Sequence, residues 1–317
     1  MTTFQVSSQL SIFDRLGALM VRLSFNRSDY AVEPGLYALN NPTSESPVFV
    51  SANYKLSFDI VRSSLAGFGA WLLVLDTKGV NVWCAAGKGT FGTVELVNRI
   101  RLTELEKVVS HRKVISPQLG GTGIAAHEVL KQSGFQVIYG PVRAEDLPAF
   151  IKDHFKVTQE MRQVRFNFID RLTLVPVELV SYSKYLFLLL LLFFLLSRID
   201  QSSVLIPSLN VIAAYLCGTV FGPALLPWLP GRSFALKGAL LGLLAFALTS
   251  YSLPWLDLLA WLLIMPTISS FLLMNFTGSS TYTSLSGVQK EMRVAVPLQI
   301  AGLTLGTIIY ISARVVG

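Results

Sequence analysis

The sequence predicts an α/β domain followed by an all-α domain of transmembrane helices. The first observation is the uneven charge: residues 1–170 hold 18 Lys+Arg and 15 Asp+Glu, whereas residues 171–317 hold only 8 and 4. The second is the hydropathy pattern, in which short apolar runs alternate with helical ones and then give way to long apolar stretches. We therefore place a soluble domain with an N-terminal extension at 1–170 and a membrane domain at 171–317.

The composition of the whole chain narrows the functional class. Hydrophobic residues make up 52% of the chain and charged residues 14%, against about 25% charged in typical soluble proteins. Those values exclude a disordered chain and an ordinary soluble enzyme. The net charge of +7 is divided between both halves, so no concentrated basic face indicates nucleic acid. With two cysteines and no secretory signal before the first domain, we expect no disulfide framework and a reducing, cytoplasmic setting.

Strands and helices alternate along the soluble domain. An amphipathic segment at 10–25 comes first and could lie on the membrane surface or pack on the domain. The predicted elements are strand 47–53, helix 55–67, strand 70–76, helix 90–109, strand 113–117, helix 123–134, strand 135–140 and helix 144–155. This alternation predicts βαβ units and a mostly parallel sheet. Ligands of such sheets bind beyond the C-terminal strand ends, so the loops after Asp76, Pro117 and Tyr139 form the candidate site.

Five apolar stretches follow Arg171, each near the roughly 20 residues that a membrane-spanning helix needs. They lie at about 182–198, 203–222, 234–252, 254–276 and 292–313. Basic residues concentrate on one side of these spans, at Arg165, Arg171, Lys184, Arg232, Lys237, Lys290 and Arg293, against Arg198 and Arg314 on the other. The positive-inside rule therefore predicts an inner-membrane protein with a cytoplasmic first domain and, with five spans, an outside C-terminus.

The spans have almost no charge at their centres, which favours an anchor over a transporter. The segment 277–292 is rich in Ser and Thr and is predicted to be a cytoplasmic loop. It could be a solvated connector or a docking surface for the soluble domain or a partner. Cys217 lies within the second span among apolar residues, where an inert buried thiol is the simplest interpretation.

The loop at 76–93 fails the usual tests for a nucleotide or redox site. A phosphate loop needs Ser or Thr after Gly87-Lys88, but Gly89 follows, and Val82 stands where the first glycine is required. A G-x-G-x-x-G pattern occurs only at 87–92, 11 residues after the strand. Cys84 has no nearby partner cysteine, which excludes C-x-x-C chemistry.

Cys84 taken alone would usually be a buried hydrophobe. Three local features favour a ligand instead. Ala85, Ala86 and Gly87 leave a face with little side-chain bulk, which suits a large flat ligand. If Cys84 lies near a helix N-terminus, free N–H groups favour its thiolate, and Lys88 adds positive charge on the same face. Such a thiolate suits a soft metal or an alkyl-transfer centre.

The octapeptide N-V-W-C-A-A-G-K at Asn81–Lys88 resembles the signature of the mercury-methylating corrinoid protein (HgcA) family. The segments 51–59, 73–93, 111–129 and 133–147 agree with the family along the domain. The domain also resembles the corrinoid-binding domain of the corrinoid iron–sulfur protein of the acetyl-CoA pathway. With the five spans, the resemblance covers essentially the whole chain and implies a Rossmann-like corrinoid-binding domain followed by five transmembrane helices.

The resemblance also implies a cobalamin-type corrinoid cofactor under a cap helix, with the Cys84 thiolate as the lower axial ligand of cobalt. It implies a methyltransferase that passes a methyl group from methyl-Co(III) to Hg(II), giving methylmercury. The common corrinoid motif D-x-H-x-x-G is absent, because none of His111, His127 and His154 has Asp two residues before it. That absence supports a thiolate ligand over a histidine ligand.

The other predicted cofactor contacts surround Cys84 in the sequence. The motif supplies Asn81, Val82, Trp83, Cys84, Ala85, Ala86, Gly87 and Lys88, followed by Thr90; topology adds Gln118, Gly120 and Gly121. Simpler roles stay open for several of them: Asn81 could cap a helix or turn, Trp83 could belong to the core, Lys88 could be a solvated charge, and Thr90 could cap the next helix.

The cysteine count bears on the partners. The chain has no four-cysteine set for an Fe–S cluster, so reduction of cobalt needs an external electron donor. The resemblance names a small ferredoxin with two [4Fe–4S] clusters, which would also deliver Hg(II), and a methyltetrahydrofolate-linked methyl donor protein. Two alternatives remain: a corrinoid methyl carrier with another native acceptor, and a membrane permease with a cytoplasmic regulatory domain.

Overall fold

The computed structural model describes residues 3–27, 29–200, 203–282 and 285–316. The chain forms two compact units. The first consists of Met1–Val21 and Phe25–Val164, and the second of Arg22–Ser24 and Arg165–Gly317. The sequence places the domain boundary at residue 170, six residues after the first unit ends.

The first unit is built on a mixed sheet of six strands. They are β1 (Thr3–Val6), β2 (Gly35–Leu39), β3 (Val48–Ala52), β4 (Ala70–Leu75), β5 (Lys113–Ser116) and β6 (Gln136–Tyr139). Their order is β1-β2-β4-β3-β5-β6, and β2 runs antiparallel to β4 while every other neighbouring pair is parallel. The predicted mostly parallel sheet is confirmed. β1 and β2 were not predicted: β1 alternates polar and apolar residues over only four positions, and β2 has no β-branched residue.

Helices cover both faces of this sheet. They are α1 (Ile12–Arg22), α2 (Lys55–Ser64), α3 (Val82–Lys88), α4 (Thr93–Leu102), α5 (Leu105–Val108), α6 (Ala126–Ser133) and α7 (Leu147–Lys152). One core joins α3, α4 and α6 to the face of β3 that carries Val48 and Val50. The other core joins α2 and α7 to the opposite face, which carries Phe49. This alternation along β3 is the period-two pattern of a strand buried on both sides.

The predicted single helix at 90–109 is wrong. The chain forms α4 and α5 there, separated at Thr103 and Glu104. Glu104 has a left-handed backbone with φ of 44°, which no continuous α-helix accommodates. The Thr103 hydroxyl donates to the Arg99 carbonyl at 2.7 Å and so satisfies a carbonyl group at the end of α4.

The strand order places a crevice at the C-terminal ends of β3 and β5. From β3 the chain passes through α2 to β4 on one side, and it then crosses to β5 on the other side of β3. The connections leaving β3 and β5 therefore diverge in opposite directions. Open α/β sheets bind ligands at this topological switch point.

The second unit is helical. Its helices are α8 (Phe168–Asp200), α9 (Leu205–Leu216), α10 (Gly222–Leu225), α11 (Phe234–Thr249), α12 (Trp255–Asn275) and α13 (Leu285–Val316), and a π-helical turn at Cys217–Phe221 joins α9 to α10. Among the described residues, four helical segments are long and apolar enough to cross a membrane: Phe168–Leu195, Leu205–Leu225, Trp255–Gly278 and Ser286–Val315.

The predicted count of five spans is not confirmed. The third predicted span, 234–252, corresponds to α11, which has 16 residues. At 1.5 Å per residue its length is about 24 Å, short of the roughly 30 Å of a hydrocarbon core. The predicted outside position of the C-terminus depends on α11 crossing, because four crossings would return the chain to the side of the first unit.

The polar segment 277–292 is a loop only in part. α13 begins at Leu285, so the prediction of a continuous loop is wrong for 285–292, and residues 283 and 284 lie outside the described residues. Glu291 in this segment makes a tertiary contact. Its carboxylate accepts hydrogen bonds from the Ser233 hydroxyl at 3.0 Å and the Ala235 amide at 2.6 Å. Glu291 thereby caps α11 and holds the polar start of α13 in place.

Candidate functional site

The short helix α3 presents the predicted ligand. Asn81 precedes it in an extended conformation, and its side-chain oxygen accepts a hydrogen bond from the Cys84 amide at 2.9 Å. This is an N-cap bond, so the Asn81 side chain holds the first turn of α3. Gly89 ends the helix with φ of 82°, a left-handed conformation that favours glycine. The residues from Asn81 to Lys88 are thus one capped helix.

The two faces of α3 differ sharply. Cys84 is exposed and is the third residue of the helix, while Ala85 and Ala86 are buried in the core of the sheet. The expectation that these two alanines leave a bare outer face is therefore wrong: they point inward. The bare position on the exposed side is Gly87, where an added Cβ would meet no atom within 4 Å. Cys84 and Gly87 together form the accessible face.

A buried asparagine anchors the loop that leads to α3. The side-chain oxygen of Asn53, directly after β3, accepts hydrogen bonds from the Thr77 amide at 3.0 Å, the Thr77 hydroxyl at 2.8 Å and the Gly79 amide at 3.0 Å. The Thr77 hydroxyl also lies 2.6 Å from the Val80 carbonyl. Asn53 was not among the predicted site residues. The available signal was a polar residue directly after the mostly apolar strand Val48–Ala52.

A hydrogen bond to a charged side chain of α4 attaches the start of the same loop to the domain. Glu95 of α4 accepts a hydrogen bond from the Asp76 amide at 3.0 Å and pairs with Arg99. Lys78 contacts the Asp76 carboxylate, and this hydrogen bond holds the pKa of Asp76 below its ordinary value despite partial burial. The start of the loop is therefore attached to α4 and its middle to β3.

The glycines after β5 allow the chain to pass close to α3. A Cβ on Gly123 would lie 2.1 Å from the Phe91 carbonyl oxygen and 3.2 Å from the Ala86 Cα. A Cβ on Gly120 would lie 2.4 Å from the Phe91 ring. Gly120 is therefore required for packing, and Gly121 is exposed at the surface. Both were predicted to line the site, and the structure gives Gly120 a close-approach role in the core.

Gln118 begins the short 3₁₀ turn Gln118–Gly120. Its side-chain oxygen is buried and accepts no hydrogen bond from any residue that the structure describes. Buried acceptors without a donor are uncommon in native proteins, and a ligand or water usually satisfies them. The prediction that Gln118 faces the site rests on topology; the cleft at the C-terminal ends of β3 and β5 is lined by its neighbours Pro117 and Leu119 and not by Gln118.

A cleft of about 330 Å³ opens at the switch point. Residues from all three predicted loops line it: Asn81 to Trp83, Pro117 and Gly140. The hydroxyl-bearing residues Ser51 and Ser116 also line it, within a wall that is otherwise mostly apolar. Concave, largely apolar sites with a few convergent polar groups are typical ligand sites.

The remaining predicted residues lie around this cleft and helix. Trp83 lines the cleft and keeps 45% of its surface exposed, so it is not a core residue. Val82 is half-buried, and Lys88 is exposed. Thr90 does not cap the following helix, since Gly92 occupies that position; its hydroxyl lies 3.4 Å from the Ala85 carbonyl. Within residues 3–27, 29–200, 203–282 and 285–316, no three His, Cys, Asp or Glu side chains are arranged to hold a metal ion.

The first unit is similar in sequence to known proteins. Residues 21–151 match the family described as CO dehydrogenase/acetyl-CoA synthase delta subunit. The acetyl-CoA decarbonylase/synthase complex subunit gamma of Archaeoglobus fulgidus is 32% identical over 142 residues, which cover 43% of this chain and 30% of the relative. The subunit gamma of Methanopyrus kandleri is 33% identical over 128 residues, 40% of this chain and 27% of the relative. The chain thus spans less than a third of these relatives.

Proposed function

We propose that this chain is a membrane-anchored corrinoid methyltransferase that transfers a methyl group to Hg(II), with the Cys84 thiolate as the lower axial ligand of cobalt. The observation that carries the proposal is the position of Cys84: an exposed thiol on a capped helix at the C-terminal edge of the sheet. Similarity of residues 21–151 to subunits of acetyl-CoA synthase and decarbonylase complexes supports the corrinoid part. The match of Asn81–Lys88 to the mercury-methylation signature supports the acceptor.

The residues at α3 fit a corrinoid. Cys84 offers a soft donor of the kind that suits a late transition metal. Gly87, with open space at its Cβ position, lets a flat macrocycle approach the exposed face of the helix. The mostly apolar cleft beside Trp83 offers contact for the edge of such a ligand. When bound, the corrinoid would supply the metal that carries the methyl group.

The chain's own residues position the sulfur. Asn81 holds the Cys84 amide, and Asn53 holds the preceding loop through Thr77 and Gly79. Because these bonds fix the first turn of α3 relative to β3, they fix where the Cys84 side chain starts. Asn81 and Asn53 are therefore positioning residues, and Cys84 is the ligand.

The proposed acceptor follows from the chemistry of this ligand. Hg(II) is an electrophile, so the methyl group must arrive with the bonding electrons or with one of them. The Cys84 thiolate is a strong electron donor. As a ligand of the bound metal it would favour delivery of the methyl group as a carbanion or radical equivalent over delivery as a methyl cation.

The partners and the location belong to the same proposal. A corrinoid held by this chain would need an external source of electrons, and we propose a small ferredoxin with two [4Fe–4S] clusters as the electron donor. A methyltetrahydrofolate-linked protein would supply the methyl group. The four helices long enough to span a membrane would anchor the chain in the inner membrane, with the first unit in the cytoplasm.

The test compares the full-length wild type with Cys84→Ala and with Cys217→Ala as a matched control that removes the other cysteine. We expect wild type and Cys217→Ala to bind cobalt and corrinoid and to form methylmercury in cells. We expect Cys84→Ala to lose methylmercury formation and to change the corrinoid absorbance. Substantial methylation by Cys84→Ala would refute the ligand assignment.

A second candidate function is a corrinoid methyl carrier with a different acceptor. The names of the relatives favour it, since these belong to acetyl-CoA decarbonylase/synthase complexes and refer to no mercury chemistry. The same experiment separates the two. Cobalt binding with a Cys84-dependent absorbance but no methylmercury would support the carrier, and a purified protein without cobalt or corrinoid would refute both.

A further inference from the structure

The N-terminal helix α1 carries an exposed apolar face. Five large side chains on it are between 48% and 80% exposed: Ile12, Phe13, Leu16, Leu19 and Met20. With about 100° of rotation per residue, these five lie in an arc of about 120° on one side of the helix. A contiguous exposed apolar surface of this kind usually marks a site of interaction with a protein or a membrane.

The opposite face of α1 is attached to the domain by charge. Asp14 pairs with Lys55 at 2.5 Å and with Arg62 at 2.8 Å, and Val21 is buried. A Cβ at Gly17 would lie 2.5 Å from the Tyr30 hydroxyl, so the helix packs closely there. The acidic side chain of this amphipathic helix, Asp14, thus faces inward, and its large apolar side chains other than Val21 face outward. The ion pairs of Asp14 prevent the helix from rotating to bury the apolar arc.

Basic residues border that arc. Arg15 and Arg22 are exposed, and at about 100° per residue they lie together beside Leu19 on one edge of the apolar face. An apolar face that contains Phe and Leu, with arginines along its edge, is the signature of a helix that lies in the interface of an anionic membrane. The chain supplies such a membrane to itself, because four of its helices are long and apolar enough to cross one.

We propose that α1 is a membrane-surface helix, whose apolar arc inserts into the bilayer interface while Arg15 and Arg22 contact anionic lipid headgroups. Two features favour a lipid surface as the partner of the apolar arc: the positive charge of Arg15 and Arg22 at its edge, and the covalent link of α1 to helices able to span a bilayer. Tethering makes the effective concentration of that surface high, so even modest affinity suffices. The first unit would then have a second attachment to the membrane besides the chain that leaves it after Val164.

The test places one nitroxide on α1 of the full chain in proteoliposomes of phosphatidylcholine with phosphatidylglycerol. Cys84→Ser and Cys217→Ser remove the native thiols, and Leu16→Cys accepts the label. Val94→Cys, on α4 and 81% exposed, is the matched control. We expect the Leu16 label to collide with oxygen, which concentrates in lipid, and to be shielded from a water-soluble nickel chelate. The Val94 label should show the reverse.

Two outcomes would overturn the proposal. A Leu16 label as accessible to the nickel chelate as the Val94 label would show that the arc is in water. A Leu16 label shielded from both reagents would show that protein covers it, either a second copy or another partner. Arg15→Gln with Arg22→Gln should raise nickel access at Leu16 several-fold, and no change would refute the headgroup contact. Because the labelled protein lacks Cys84, the outcome is independent of the proposed methyl transfer.

Discussion

Replacing Asn53 by alanine should release the loop that carries α3. The Asn53 side chain is 6% exposed and Thr77 is fully buried. The substitution leaves the Thr77 amide buried without an acceptor, at a cost of about 1–3 kcal/mol, and the half-buried Gly79 amide adds about 1 kcal/mol. The Thr77 hydroxyl keeps a partner in the Val80 carbonyl. We therefore expect a loss of about 2–4 kcal/mol in the local stability of this loop.

Hydrogen exchange of the full chain, followed by mass spectrometry, measures that loss. At about 1.4 kcal/mol per tenfold, the amides of segment 76–88 should exchange about 30-fold to several hundred-fold faster in Asn53→Ala. Segment 126–139, which contains α6 and β6, serves as the internal reference. Asn98→Ala, an exposed asparagine on α4, is the matched control and should leave both segments unchanged.

Two results would refute this reasoning. If segment 76–88 exchanged at the wild-type rate in Asn53→Ala, the three hydrogen bonds would not hold the loop. If segments 76–88 and 126–139 accelerated equally, Asn53 would support the whole sheet and not the position of α3.

Three further predictions concern the surroundings of α3 and the docking of α1. Gly123→Ala should destabilise its loop by about 1–3 kcal/mol, because the added Cβ collides with the Phe91 carbonyl. Gly87→Ala should instead stabilise α3 by about 0.5–1 kcal/mol and slow its hydrogen exchange, because the added Cβ meets open space. Asn81→Ala should cost about 1 kcal/mol of helix stability, and Asn81→Asp should retain the cap. Burial alone would raise the pKa of Asp14, but hydrogen bonds from Lys55, Ser11 and Arg62 outweigh burial and hold this pKa well below its ordinary value. The ionised Asp14 therefore contributes its full stability above about pH 4, and this contribution is lost as the pH falls further. Hydrogen exchange of α1 should accelerate below that pH.

Each of these predictions has a distinct contradiction. If Gly123→Ala and Gly87→Ala changed hydrogen exchange of their own segments in the same direction and by the same amount, the space around each glycine would not determine the effect of an added Cβ. A loss of cap stability in Asn81→Asp as large as in Asn81→Ala would remove the role of the side-chain oxygen. Asp14→Asn should flatten the pH dependence of α1, and an unchanged pH dependence in that variant would assign it to another group.

Much of the architecture could be predicted from local sequence. The runs that became β3, β4, β5 and β6 are apolar and bounded by turn residues, and their spacing by helices predicts parallel pairing. The position of the cleft followed as well, because loops beyond the C-terminal strand ends form the crevice in such sheets. The four helical segments long and apolar enough to span a membrane were visible from hydropathy, which depends on composition over about 20 residues.

The faces of the elements could not be predicted this way. Ala85 and Ala86 were expected at the surface beside Cys84, but they lie in the core because the turn of α3 directs them toward the sheet. α1 was identified as amphipathic, but periodicity alone left open whether its apolar side packs on the domain or lies on a membrane surface. The ion pairs of Asp14 with residues more than 40 positions away on α2 turn that side away from the domain.

Local sequence was enough for the order of β3 to β6, the two-part division and the candidate thiol, since each depends on residues adjacent in the chain. Contacts in the folded chain were needed to show that β2 runs antiparallel to β4 and that Asn53 holds the loop before α3. The folded chain also shows that α11 is shorter than the four helical segments long enough to cross a membrane. The physical reason is the range of the interactions. Hydropathy patterns are local, whereas the partner of a buried oxygen or an inward-facing charge is supplied by an element distant in sequence.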